Sequence, residues 1–130
     1  MPPFATLALA DAPRVKAPDG CDVRPLLALG GGSLARFELA AGRTSIAVAH
    51  RSVEEIWFVT GGRGEMWRKA GEREEITTLA AGVSLTIPLG TAFQFRSLGP
   101  EPLTVIATTM PPWPGEGEAY ELAGRWPASV

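Results

Sequence analysis

The chain contains one histidine, His50, and a glutamate, Glu55, stands five residues after it. An imidazole changes charge near neutral pH, and a carboxylate at its side orients it and favours its charged form. The two fall within Gly42-Arg-Thr-Ser-Ile-Ala-Val-Ala-His-Arg-Ser-Val-Glu-Glu-Ile-Trp-Phe-Val-Thr-Gly-Gly62. Residues 44–50 alternate as a strand with Thr44, Ile46, Val48 and His50 on one face. Arg51 to Glu54 turns the chain. Residues 55–60 form a second strand with Glu55, Trp57 and Val59 on one face and Ile56 and Phe58 on the other. Base and carboxylate then meet across the hairpin and hydrogen-bond. On a functional reading, Glu55 raises the imidazole's pKa and fixes its tautomer, and the second ring nitrogen meets a ligand or moves a proton. On a structural reading, the pair satisfies two inward polar groups.

Other chemistries find no footing. One cysteine, Cys21, excludes an intrachain disulfide, and one cysteine with one histidine excludes Cys/His zinc motifs. No serine stands in a nucleophile elbow. Gly30-Gly-Gly32 and Gly61-Gly-Arg-Gly64 open no helix and are not phosphate loops. Arg43, Arg63 and Arg96 either pair a substrate carboxylate or lie in solvent. Trp57 and Trp67 either stack on a ligand ring or fill the interior.

A length of 130 residues, 45% hydrophobic and 20% charged, describes one globular domain with its own core. The net charge of −2 comes without a basic run, so neither nucleic acid nor an anionic membrane is an expected partner. Residues 4–10 are too short an apolar run to span a bilayer, and they lack the positive flank of a signal peptide. A cytoplasmic protein is expected.

Fifteen glycines and twelve prolines divide the chain into short pieces, which favours strands over long helices. Residues 1–20 read as an N-terminal arm. Asp22 to Leu29 is an edge strand that tolerates Pro25. Ser33 to Leu39 alternates at period two. Gly61, Gly62 and Gly64 loosen the backbone. Glu65 to Arg68 and Glu74 to Leu79 flank a hairpin turn, and residues 83–88, 93–97 and 103–110 supply further strands. Residues 111–130 form an irregular tail whose Trp113, Tyr120 and Trp126 predict docking on the barrel or on a partner subunit. Many short strands without a cysteine framework predict an all-β fold, a double-sheet antiparallel jelly roll.

Two stretches carry a family resemblance. Gly42, five residues, Val48, Ala49, His50, four residues, Glu55, six residues and Gly62 resemble the first cupin motif. Gly82, Pro88, Gly90, Phe93 and Ser97 resemble the second. The resemblance implies a single cupin domain over residues 1–130, a jelly-roll β-barrel with its core in residues 33–110, and a homodimer. For that contact Ile56 and Phe58 offer outer apolar surface. It also implies a metal site of three imidazoles and one carboxylate. Here Val48 replaces the first histidine, Phe93 the third, and Ser97 an asparagine. Only His50 and Glu55 remain, and borderline divalent metals need more donors than that to compete with water. Neither a metal nor another cofactor is expected.

The leading functional expectation is a metal-free barrel that binds a small organic molecule, sugar- or carboxylate-like, in its mouth. Val48, His50, Glu55, Trp57, Met66, Phe93 and Phe95 are the expected contacts. The alternatives are an isomerase, epimerase or lyase with His50 as general acid/base and Glu55 as its orienter, or a structural or regulatory dimer with a vestigial pocket.

Overall fold

A computed structural model describes residues 2–130. Among them, one sheet has six strands: β1 (Val15–Lys16), β2 (Asp22–Leu29), β3 (Gly32–Leu39), β5 (Glu54–Gly61), β8 (Ser84–Ile87) and β10 (Leu103–Met110). Its order is β1-β2-β3-β10-β5-β8. The other has five: β4 (Val48–His50), β6 (Arg63–Ala70), β7 (Arg73–Ala80), β9 (Ala92–Ser97) and β11 (Ala119–Glu121). Its order is β11-β4-β9-β6-β7. All pairings are antiparallel. No helix among the described residues is long and apolar enough to cross a membrane.

Alternation dictates which residues face inward. In β5, Glu55, Trp57 and Val59 are buried while Ile56 and Phe58 are about half exposed. In β10, Leu103, Val105, Ala107 and Thr109 are buried. The inner faces meet in one cluster that includes Leu39, Trp57, Met66, Leu79, Phe93, Phe95 and Val105. Each large side chain enclosed this way contributes about 1.5–3 kcal/mol. Trp57 lies nearly parallel to Phe37, with ring centroids 5.5 Å apart, and meets Phe95 edge-on at 5.0 Å. Such pairs fix ring orientation as well as filling volume.

The glycines between β5 and β6 mark close contact. The chain passes from one sheet to the other at Gly62, whose φ is +78°. A Cβ there would overlap the Pro102 carbonyl, and one at Gly64 would overlap the Arg96 carbonyl oxygen. These positions need glycine because backbone approaches backbone, not to loosen the chain.

Three expectations are revised. The strand read over residues 44–50 has only Val48–His50 as its ladder, preceded by an isolated bridge from Thr44 to Arg96. Between them the Ser45 N–H donates to the Phe95 carbonyl and the Ile46 N–H to the Asp19 carbonyl, so successive amides serve different partners. Asp22 to Leu29 is not fully an edge, because β1 pairs with Asp22 and Val23; the pairing with β3 shifts between Pro25 and Ala28. The tail is neither wholly irregular nor free. β11 pairs with β4, placing Ala119 opposite His50 and Tyr120 opposite Ala49.

The tail docks on its own barrel through a buried amide. Gln94 Nε2 donates to the Ser45 and Trp126 carbonyls at 2.9 and 2.8 Å, and its Oε1 accepts the Arg125 and Trp126 amides, both at 2.9 Å. Arg96 lies 4.2 Å over the Trp126 ring, and Arg51 lies 4.7 Å over Tyr120. Among residues 111–130, the three aromatics singled out in the sequence all pack on this chain.

Candidate functional site

β4 and β5 deliver His50 and Glu55 to one cavity of about 350 Å³ between the sheets, the N-terminal arm and the tail. That volume is in the range of small-molecule sites. Val48, Trp57 and Phe93, named from the sequence as ligand contacts, line its wall with them. Met66 and Phe95, also expected there, lie in the core and do not line it. Their strands meet at Met66–Phe95, in the interior of the β6–β9 ladder.

The two polar groups are near each other but not bonded. His50 Nδ1 lies 4.0 Å from Glu55 Oε2, beyond hydrogen-bonding reach. It is the one buried side-chain polar atom without a partner among the described residues. Glu55 is held by other groups. Trp57 Nε1 donates to its Oε1 at 2.7 Å, and Thr109 Oγ1 donates to its Oε2 at 3.3 Å. Trp57 is two residues along the same strand face, so the pleat itself aims the indole N–H at the carboxyl.

Charge follows burial. Glu55 is pushed from an ordinary 4.5 up to about 7, chiefly by burial, with Asp19 and Glu118 adding to the rise and the Trp57 and Thr109 bonds opposing it. Burial also lowers the His50 pKa, against the pull of Glu118. The expectation that Glu55 raises the His50 pKa is therefore reversed. A carboxyl turned toward Trp57 and Thr109, and largely protonated below pH 7, gives the imidazole no anion at hydrogen-bond distance. Near neutrality the site holds an uncharged imidazole beside a carboxyl at its midpoint.

Three further groups stand at or near the site without having been assigned to it from the sequence. Asp19, 5% exposed, sits in the turn that ends the arm and lines the cavity. Its Oδ1 accepts the Cys21 N–H at 3.1 Å, and burial raises its pKa. Trp113 from the tail meets His50 edge-on at 5.3 Å, and Phe93 meets it from the barrel at the same distance. Glu118, also 5% exposed, accepts the Ser52 and Val53 amides at 2.7 and 3.1 Å and the Ser52 hydroxyl. Burial acts to raise Glu118, but these bonds outweigh it and hold its carboxyl below the ordinary range. Asp19 fell within the arm read over residues 1–20, and the tail aromatics signalled docking. Only the three-dimensional structure brings them to His50.

The remaining candidates lie away from the cavity. Trp67 Nε1 donates to Glu74 at 2.7 Å. Arg96 pairs with Glu65 at 2.6 Å, and Arg43 donates to the Ser129 carbonyl at 3.0 Å. None of Arg43, Arg63 and Arg96 lines the cavity.

The donor set does not fit the metal centre that the motif spacing implies. Val48 and Phe93 are registered opposite each other at two of the ligand positions and carry no donor atom. Glu55 already accepts from Trp57 and Thr109. Among the described residues, no three His, Cys, Asp or Glu side chains are grouped as a metal would require.

The fold is shared with solved structures of low sequence identity. CapF, a capsular polysaccharide assembling protein of Staphylococcus aureus, superposes with a TM-score of 0.73 at 15% identity over 89% of this chain and 36% of its own. This chain thus spans about a third of CapF. Streptomyces PAC13, as a variant with uridine, superposes with a TM-score of 0.73 at 13% identity over 93% and 92%. An uncharacterized conserved protein of Klebsiella pneumoniae with a double-stranded β-helix domain does so with 0.70 at 16% identity over 94% and 100%. No curated protein matches the sequence. A model of the cupin domain matches residues 35–109, more than half of the sequence and both patterned stretches, and the chain belongs to the cupin family.

Proposed function

We propose that this barrel binds a small organic molecule in the cavity beside His50, without a metal ion. The observation that carries the reading is the unpartnered His50 Nδ1, buried at a cavity whose wall is otherwise largely apolar and aromatic. An unsatisfied buried nitrogen is unfavourable by about 1–3 kcal/mol, and a ligand that engages the imidazole or draws it onto Glu55 relieves that strain. Trp57, Phe93 and Trp113 supply flat apolar surface, and Glu55 and Thr109 supply polar groups. Of the two ligand classes raised by the sequence, a carboxylate is disfavoured, because no arginine stands on the wall and two buried carboxyls do. PAC13 is described with uridine, but a likeness at 13% identity carries the barrel and not the ligand.

Native mass spectrometry of the freshly purified protein tests this reading. A bound small molecule should appear as a mass shift in the wild type and weaken or vanish in Trp57→Ala. Near-stoichiometric metal with no organic ligand would overturn it.

A second reading, acid/base catalysis, rests on the protonation states. At neutral pH His50 is an uncharged base and Glu55 is near its midpoint, so one can accept a proton while the other donates. An enzyme of this kind has a pH–rate profile whose limb near pH 7 disappears in Glu55→Gln.

A further inference from the structure

The cavity is unbalanced in charge. Two carboxyl groups stand on its wall, Asp19 from the arm and Glu55 from β5, and both side chains are nearly enclosed. The cation on the same wall is Lys16, whose ammonium lies 2.8 Å from Asp22 Oδ1 and whose side chain is 72% exposed. It is engaged elsewhere, at the surface. The same wall carries the rings of Phe37, Trp57, Phe93 and Trp113, together with His50, which has a ring nitrogen free. Buried carboxyls without a cationic partner are unfavourable. Aromatic faces attract cations, more strongly when water is excluded. Acceptors and ring faces thus converge where the protein supplies no cation of its own.

We propose that the cavity takes a small organic cation, an amine on a flat apolar body, with its ammonium held by Asp19 and Glu55 and its body against the aromatic wall. The proposal rests on the small-molecule reading above and names the ligand's chemical class. Asp19 becomes a specificity residue, contributed by an arm that lies outside the segment matched by the family model. The Asp19 Oδ1 bond to the Cys21 amide fixes the carboxyl in the turn, with the Cys21 thiol beside it. The groups that act on Glu55 are Asp19 and Glu118, which oppose its ionisation, Trp57 and Thr109, which favour it, and the uncharged His50 at 4.0 Å. An ammonium supplies the missing attraction, so binding draws the proton off Glu55.

The test uses three probes of nearly one shape on the full chain: 2-phenylethylamine, 2-phenylethanol and phenylacetate, measured by titration calorimetry. The amine should bind about tenfold or more tighter than the alcohol, the size expected for hydrogen bonds to charged groups, and phenylacetate should bind least. Amine affinity should rise with pH through about 7, where Glu55 ionises. Asp19→Asn and Glu55→Gln should each weaken the amine by about tenfold and the alcohol by much less, and an unchanged far-ultraviolet circular dichroism spectrum shows that both variants are folded. Alcohol or phenylacetate binding as tightly as the amine overturns the cation assignment while leaving a small-molecule barrel in place. Amine affinity indifferent to both substitutions does the same. If none of the three binds, the cation assignment fails, while the small-molecule reading stands or falls on the native mass spectrum.

Discussion

Replacing Glu55 with Gln separates the charge of this side chain from its shape. The amide is isosteric, and its carbonyl oxygen still accepts from Trp57 Nε1. What disappears is a proton equilibrium displaced from 4.5 to about 7. A displacement of that size corresponds to roughly 3 kcal/mol between the two protonation states. Below about pH 4.5 the folded and unfolded chains both carry the proton, and there is no penalty. As pH rises, the unfolded chain releases the proton first and the native state loses stability. Above about pH 7 the folded chain has released it too, and the full penalty applies. Glu55→Gln should therefore gain stability over the wild type by roughly 2–3 kcal/mol between about pH 5 and pH 8. Asp19 and His50 are present in both proteins, so their own pH dependence largely cancels in the comparison. Urea unfolding followed by tryptophan fluorescence reads the difference. With a typical urea slope of about 1–3 kcal/mol per molar, the gap between the two midpoints should widen by about 1 M or more. A gap of the same width at both pH values would refute the assignment of Glu55 as a carboxyl kept neutral by burial.

Three further outcomes are expected. His50 should titrate below 6.5 in a proton NMR experiment, where it gives the chain's one imidazole signal, and Trp113→Ala should move its midpoint upward by letting water reach the ring. Glu118→Ala should destabilise the fold by about 2–3 kcal/mol in urea, because it strands the Ser52 and Val53 amides. Gly64→Ala should lower stability by at least about 2 kcal/mol, seen as a drop in melting temperature, since its Cβ meets the Arg96 carbonyl, a backbone atom that cannot rotate away.

Much of the frame was legible because alternation is a local signal. Glu55, Trp57 and Val59 turn inward and Ile56 and Phe58 outward, as the period of two requires. The turn at Gly71, with φ of +62°, joins β6 and β7 where Lys69-Ala-Gly-Glu72 predicted it. The motif spacing also identified the β4 and β5 positions that reach the cavity. Partnerships were less legible. His50 and Glu55 were matched by spacing, yet the nearer donor for Glu55 was Trp57, already on the same strand face. Phe95 and Met66 alternate inward like Phe93 but pack behind the cavity, since an inward direction does not say how far along the barrel axis a residue sits. Asp19 and Gln94 depend on contacts between segments distant in sequence, such as the 32 residues from Gln94 to Trp126, and no local pattern encodes them.

The pairing of β11 with β4 places the tail on the strand that carries His50, and Trp113 from the same tail covers that ring. Seating of the tail and occupancy of the cavity are therefore thermodynamically linked, and linkage is reciprocal. If a bound ligand slows proteolysis of residues 111–130, then whatever holds those residues away from the barrel must weaken ligand binding by the same factor. A peptide or partner protein that captured the tail would act on the cavity as an inhibitor without entering it.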